Sequence, residues 1–419
     1  MILLSELKAV IAHQREKIKA LESHPRQLLQ ELQIIDNFAL VISGIRRCGK
    51  STLLSQLINQ QKNDWLYLNF DTPRLYNFEF NDLRLLDQII AEKSIKTLYF
   101  DEIQLMERWE VYVRGKLDEG YHVVVTGSNA SMLSRELGTK LTGRHITKEL
   151  FPFSYNEYCS YKNLELNNQS LRSYLETGGM PQYIQTGYTE ILQLLVNDIL
   201  YRDIAVRHNI RDERPLRHLL MFLVANIGNL ISANNLKSLA SVKSANTILG
   251  YLNFLEASYL IQLMPRFSYS YRVQQVNPRK IYFIDNGIQA AISPSFSPDW
   301  GRRLENMVFW ELRRLGFDLY YYKDNAECDF VVTHKGVPHT LIQVCSELNN
   351  DTMHREVEGL KEAMEFFKME QGYILTLDQH DTIVIANKTI KVLPVYELGA
   401  LDGALDSGAL DSIKRANIF

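Results

Sequence analysis

Hydrophobic and polar positions change period along this chain, and the changes divide it into blocks. Short, near-continuous apolar runs come first: "FALVIS" at 38–43, "WLYLNF" at 65–70, "TLYFDE" at 97–102, "HVVVTGS" at 122–128 and "HITKEL" at 145–150. Helix-length segments separate them, which predicts a parallel sheet covered on both faces. After "ELFPFSYNEY" the strand-like runs stop, and helical periodicity holds from about 155 to 258. Strands return at "SYLIQLM" and "RKIYFID", then at "FDLYYYK", "CDFVV", "HTLIQVC" and "GYILTL".

The predicted organisation is α/β throughout, with helical insertions. A helical lead-in spans 1–35 and is interrupted at Pro25, and a first α/β domain covers 36–158. A helical block follows at 159–210, then a block of helices and ribbon at 211–290 and a second α/β domain at 300–397. Residues 398–419 repeat GALD and are low-complexity.

A length of 419 residues fits two or three domains, and 46 % hydrophobic with 23 % charged residues describes a globular chain. The net charge of −3, from 46 basic and 49 acidic residues, names no partner, so local charge carries the question. Cys48, Cys159, Cys328 and Cys345 form no C-x-x-C pair, which argues against zinc and disulfides and for a reducing cytoplasm. No apolar run reaches about 18 residues, so no membrane span is expected.

The first chemistry lies in "GIRRCGKS", residues 44–51. Gly44, four residues, Gly49, Lys50 and Ser51 have phosphate-loop spacing between an apolar strand and a helix. Glycines let backbone N–H groups curl round phosphates, with Arg46, Arg47 and Cys48 supplying the intervening amides. Lys50 adds a point charge, Ser51 a Mg²⁺ ligand, and Thr52 continues into a helix whose N-terminus faces the anion. Asp101 and Glu102 close an apolar strand about 50 residues later, an acid for the metal and a base for water. The next strand ends in "VVVTGSNA", placing Ser128 and Asn129 where a polar side chain can sense the γ-phosphate.

In this order the elements resemble AAA+ and STAND ATPases, and most of all bacterial AAA-type ATPases fused to a DUF4143 region, over roughly residues 35–395. The resemblance implies an ATP- and Mg²⁺-dependent ATPase. Gly44, Gly49, Lys50 and Ser51 match its Walker A loop, Asp101 and Glu102 its Walker B pair, and Asn129 or Ser128 its first sensor. Arg144, just before the fifth strand, falls where such proteins place an arginine finger toward a neighbouring subunit, implying a homo-oligomer. Gly179-x-Pro181 in "TGGMPQYI" is similar to the STAND lid element, whose proline lies against adenine. Arg202 is the nearest match to a second sensor.

In the middle block, Ser244 starts a helix whose Ile248, Leu249, Leu252 and Leu255 form a core stripe, leaving Asn246 and Thr247 outward beside Lys243. With ribbon strands at 259–264 and 280–284 joined through Arg266 and Arg272, this reads as a winged helix. Residues 211–285 hold nine Lys or Arg against four acids, which makes DNA the expected partner and a protein neighbour the alternative.

The C-terminal block resembles a PD-(D/E)xK nuclease core, with Glu305 and Asp329 matching its acids. Its E-x-K is Gln343-Val344-Cys345 here. Cysteine cannot supply an ammonium group, so the expectation is a retained fold without nuclease chemistry, Gln343 still offering a carbonyl to a metal and Lys361 being the nearest lysine on a following helix that could replace the missing one. The three readings are a DNA-acting ATPase, a slow-turnover ATP switch for a protein partner, and an ATPase-fused nuclease.

Overall fold

The computed structural model describes residues 2–62, 64–129, 143–239, 242, 244–293 and 299–401. The chain forms two compact units, the first running to Phe151 and including 257–259, the second holding 152–256 and the described residues from Leu260 onward.

In the first unit, strands β1 (Ala39–Ser43), β2 (Trp65–Asn69), β3 (Thr97–Asp101), β4 (His122–Gly127) and β5 (His145–Glu149) make one sheet, all neighbours parallel, in the order β2-β3-β4-β1-β5. The central strands are mostly apolar, as strands of a covered parallel sheet are, and β1 and β3 are buried along their full length. Register sets Asn69 opposite Asp101, and Ser43 opposite both Gly127 and Glu149. The carboxyl ends of these strands therefore share one edge, the edge where open α/β sheets bind ligands. The lead-in helix Leu4–Lys19 buries Leu7, Val10 and Ile11 in the same core as Leu66, Leu86 and Phe100. The segment expected to be helical after Asn129 lies outside the described residues.

The second unit opens with helices Tyr155–Lys162, Asn168–Thr177, Pro181–Thr186 and Glu190–Asp198, the first two started by capping boxes at Ser154 and Asn167. A π-helical stretch, Ile199–Val206, carries Arg202. Helix Arg214–Val224 precedes β6 (Leu230–Ile231), helices Ala233–Leu239 and Ala245–Ala257, β7 (Ile261–Met264), helix Tyr271–Val276 and β8 (Arg279–Phe283). These three strands pair antiparallel in the order β6-β8-β7. Two elements lay beyond the sequence pattern, the two-residue β6 and the short helix inside the ribbon connection.

Helix Trp300–Arg314 then leads into β9 (Asp318–Lys323), β10 (Glu327–His334), β11 (Val337–Val344), helix Met353–Phe366, β12 (Gln371–Thr376), β13 (Asp381–Ile385) and β14 (Lys388–Pro394). They form a mixed sheet in the order β13-β14-β12-β11-β10-β9. The hairpin β13-β14 was not expected, its first strand being short, 381–385, and largely exposed. Among the described residues no helix is long and apolar enough to cross a membrane.

Candidate functional site

The phosphate loop leaves β1 at Ser43 and enters helix Lys50–Asn59 through Gly49, whose φ of +102° excludes most side chains. Gly44 is required by proximity: a Cβ there would lie 2.1 Å from the Leu150 carbonyl oxygen. Arg47 also takes positive φ, 64°, and Arg46 pairs with Asp71 at 3.2 Å. Cys48 is fully buried and its thiol donates to the Leu150 carbonyl at 3.4 Å. Burial pushes that thiol up, so it is a packing group and no nucleophile.

Lys50 is 4 % exposed. Its Nζ donates to the carbonyls of Gly44 and Ile45, both at 3.1 Å, and lies 3.6 Å from Glu102 Oε1. Burial works most strongly against the ammonium, but Glu102, with smaller help from Cys48 and Asp101, outweighs it and holds Lys50 above its usual value.

Asp101 ends β3 fully buried and collects four donors: Ser51 Oγ at 2.6 Å, Tyr67 OH at 2.8 Å, Asn69 Nδ2 at 3.0 Å and the Thr126 hydroxyl. Burial first and the Glu102 charge second still push its carboxyl upward. Glu102 adopts a left-handed φ of 51°, turned off the strand, and its N–H donates to Thr126 Oγ1 at 3.1 Å. Burial raises Glu102, yet Lys50 and the Gln104 amide, 2.5 Å away, bring it below the usual carboxylate range. It is therefore ionised at neutral pH, the state a general base needs. Ser128 and Asn129 are buried after β4, and Gln104 Nε2 also reaches Ser128 Oγ at 3.4 Å.

Six sequence-picked residues, Gly44, Gly49, Lys50, Ser51, Asp101 and Glu102, thus converge. Tyr67, Asn69, Gln104 and Thr126 were missed; register opposite Asp101 was the available signal for Asn69. Arg144 pairs with Asp118 at 2.7 Å and keeps 29 % of its side chain exposed. Pro181 belongs to the second unit, where Gly179 N–H donates to Asp285 Oδ2 at 2.5 Å and a Cβ on Gly179 would strike the Phe153 carbonyl at 2.1 Å.

Of the residues expected to face DNA, Lys243 lies outside the described residues. Asn246 and Arg272 are exposed and Thr247 is half-buried. Arg266 is half-buried, its guanidinium donating to the Lys323 carbonyl and its backbone bridging Tyr321. Lys280, counted as a basic ribbon residue, is 1 % exposed.

Lys280 also corrects the expectations for the C-terminal block. Its Nζ lies 2.7 Å from Asp329 Oδ1, 2.8 Å from Glu327 Oε1 and 3.1 Å from Glu305 Oε1, so the lysine beside the nuclease-like acids comes from β8. Lys361 pairs with Glu358 at 3.3 Å. Gln343 is committed, its Oε1 accepting from Asp329 N–H at 3.1 Å and its Nε2 donating to Glu356 at 2.6 Å. Burial raises Glu305 to about 7 despite Lys280 and Tyr282. Among the described residues no group of three or more His, Cys, Asp or Glu is arranged to hold a metal.

A family model described as an AAA domain matches residues 36–159, and one described as a domain of unknown function, DUF8612, matches 168–299, in place of the DUF4143 region the motifs resemble. An uncharacterized protein of Methanocaldococcus jannaschii, MJ1544, is 34 % identical over 88 % of this chain and 89 % of its own length. An uncharacterized protein of Haemophilus influenzae is 32 % identical over 84 % of this chain and 92 % of its own. Among solved structures, the RuvB Holliday junction branch migration motor of Thermotoga maritima is similar at 17 % identity and a TM-score of 0.29, over 61 % of this chain and 89 % of that one. A STAND protein of Pyrococcus horikoshii gives 13 % and 0.27, over 70 % and 45 %. Both TM-scores are too low to establish a common overall fold.

Proposed function

The chain belongs to the same family as MJ1544 and carries an AAA domain, and from that premise we propose that it binds ATP with Mg²⁺ and hydrolyses it. The observation that carries this reading is the placing of Ser51 Oγ 2.6 Å from Asp101, with Glu102 turned off the same strand 3.6 Å from Lys50. Hard oxygen donors of this kind suit Mg²⁺, which would be held by Ser51 and Asp101 and would offset phosphate charge. Lys50, released from two backbone carbonyls, turns to the β- and γ-phosphates. Glu102 accepts the proton of the attacking water, and Asn129 or Ser128 orients it. Arg144, freed from Asp118, acts as the finger toward a second copy of the chain.

DNA is the proposed partner, contacted by the exposed Asn246 and Arg272 with Thr247 and Lys243. With Lys280 buried among acids, the charge available for phosphates is smaller than the sequence count, so a low salt slope is expected. The test is ATP turnover by the purified chain in Mg²⁺, with and without duplex DNA, beside Lys50→Ala. Turnover that needs Lys50 supports the ATPase, and stimulation by DNA supports the partner. Turnover unchanged in Lys50→Ala sinks the site, and indifference to DNA at low salt returns the helix-and-ribbon block to a protein neighbour.

A further inference from the structure

Between Ile18 and Leu32 a single residue is buried, and it is an arginine. Arg26 keeps 4 % of its surface, in a stretch where an apolar side chain would avoid the cost of desolvating a guanidinium. Its fork is spent on two backbone carbonyls: Nη1 donates to Cys48 O at 2.8 Å and Nη2 to Phe151 O at 2.7 Å. The same Nη1 would lie 3.2 Å from a Cβ on Gly49. The segment bearing Arg26 is fastened to the helix behind the loop, with Gln56 Oε1 accepting from Arg26 N–H at 3.1 Å, Gln56 Nε2 donating to His24 O at 2.6 Å and Ser55 Oγ donating to Ile18 O at 2.8 Å.

The peptide joining Cys48 to Gly49 is planar and trans, so its carbonyl and the Gly49 N–H point in opposite directions. Fixing the carbonyl on Arg26 aims that N–H away from Arg26. We propose that Arg26 is a positioning residue of the nucleotide site, holding the phosphate loop from behind so that its N–H groups are set for phosphate before nucleotide arrives. The second arm of the fork holds Phe151, next to the Leu150 carbonyl that crowds Gly44, so both flanks of the loop are tied to one side chain. A lysine keeps the charge but has no planar fork, and should restore only part of the effect. The inference rests on the ATP-binding reading.

The experiment combines equilibrium binding of ADP and Mg-ATP with amide exchange of residues 44–51 in the nucleotide-free chain, for wild type, Arg26→Ala and Arg26→Lys. Arg26→Ala is expected to weaken both nucleotides at least about tenfold and to speed exchange in 44–51 while 65–69 and 97–101 keep wild-type protection; Arg26→Lys falls between. Wild-type affinity in a folded Arg26→Ala, or exchange that rises equally through the sheet, overturns the proposal. Should Arg26→Ala fail to fold, Arg26→Lys decides by the same two readouts. A wild-type chain that takes up no nucleotide defeats the ATP reading, while the exchange arm still decides what Arg26 does to the loop.

Discussion

Two of the buried lysines of this protein, Lys50 and Lys280, stand beside carboxylates, and their partners differ in kind. Lys50 spends its protons on two backbone carbonyls and keeps Glu102 at 3.6 Å, while Lys280 is enclosed by Glu305, Glu327 and Asp329 at 3.1 Å or less. Neutral carbonyls can be exchanged for phosphate oxygens at little electrostatic cost, whereas three carboxylates cannot be left behind. Burial and a lysine among acids therefore do not define one kind of site. What separates the two regions is whether the charges are already satisfied by one another.

The largest difference should appear in stability. Lys280→Met leaves three carboxylates facing one another and should cost about 3–5 kcal/mol in urea unfolding, while Lys50→Met should cost clearly less because Glu102 retains the Gln104 amide. Equal losses would erase the contrast.

The pH dependence sharpens it. Unfolded, Glu305 sheds its proton near 4.5, whereas folded it holds the proton to about 7, so over that window the native state binds more protons and stability falls as pH rises. Glu305→Gln should flatten the slope between pH 4.5 and 7, and an unchanged slope would show that Glu305 is not its source. The smallest effect belongs to Lys361→Ala. Its pair with Glu358 is partly exposed and should be worth below about 1 kcal/mol. A larger loss would mean that Lys361 has a role beyond that pair.

The first region was legible because its chemistry is local. Gly44 to Ser51 are consecutive, Asp101 and Glu102 close one apolar run, and the five strands matched their runs to within about one residue at each end. Arg26 and Lys280 were not legible, for one physical reason. Each is a basic residue in a polar stretch, "SHPRQ" or "NPRK", which reads as solvated surface until the fold carries it against groups more than 20 residues away. The sequence pattern points from Cys345 downstream to Lys361, whereas the ammonium group that meets Asp329 belongs to Lys280 on β8, upstream. Likewise Gln343, chosen for its carbonyl, proved to be the link between Asp329 and Glu356.

The central claim, that Glu102 serves as the base beside a Ser51–Asp101 metal site, is tested most directly by Mg-ATP hydrolysis in Glu102→Gln with nucleotide affinity measured on the same sample. The substitution keeps the side chain's size and removes its ability to accept a proton. The account predicts affinity within about threefold of wild type and turnover reduced by roughly 10²–10⁴-fold. Turnover at the wild-type rate in Glu102→Gln would contradict it.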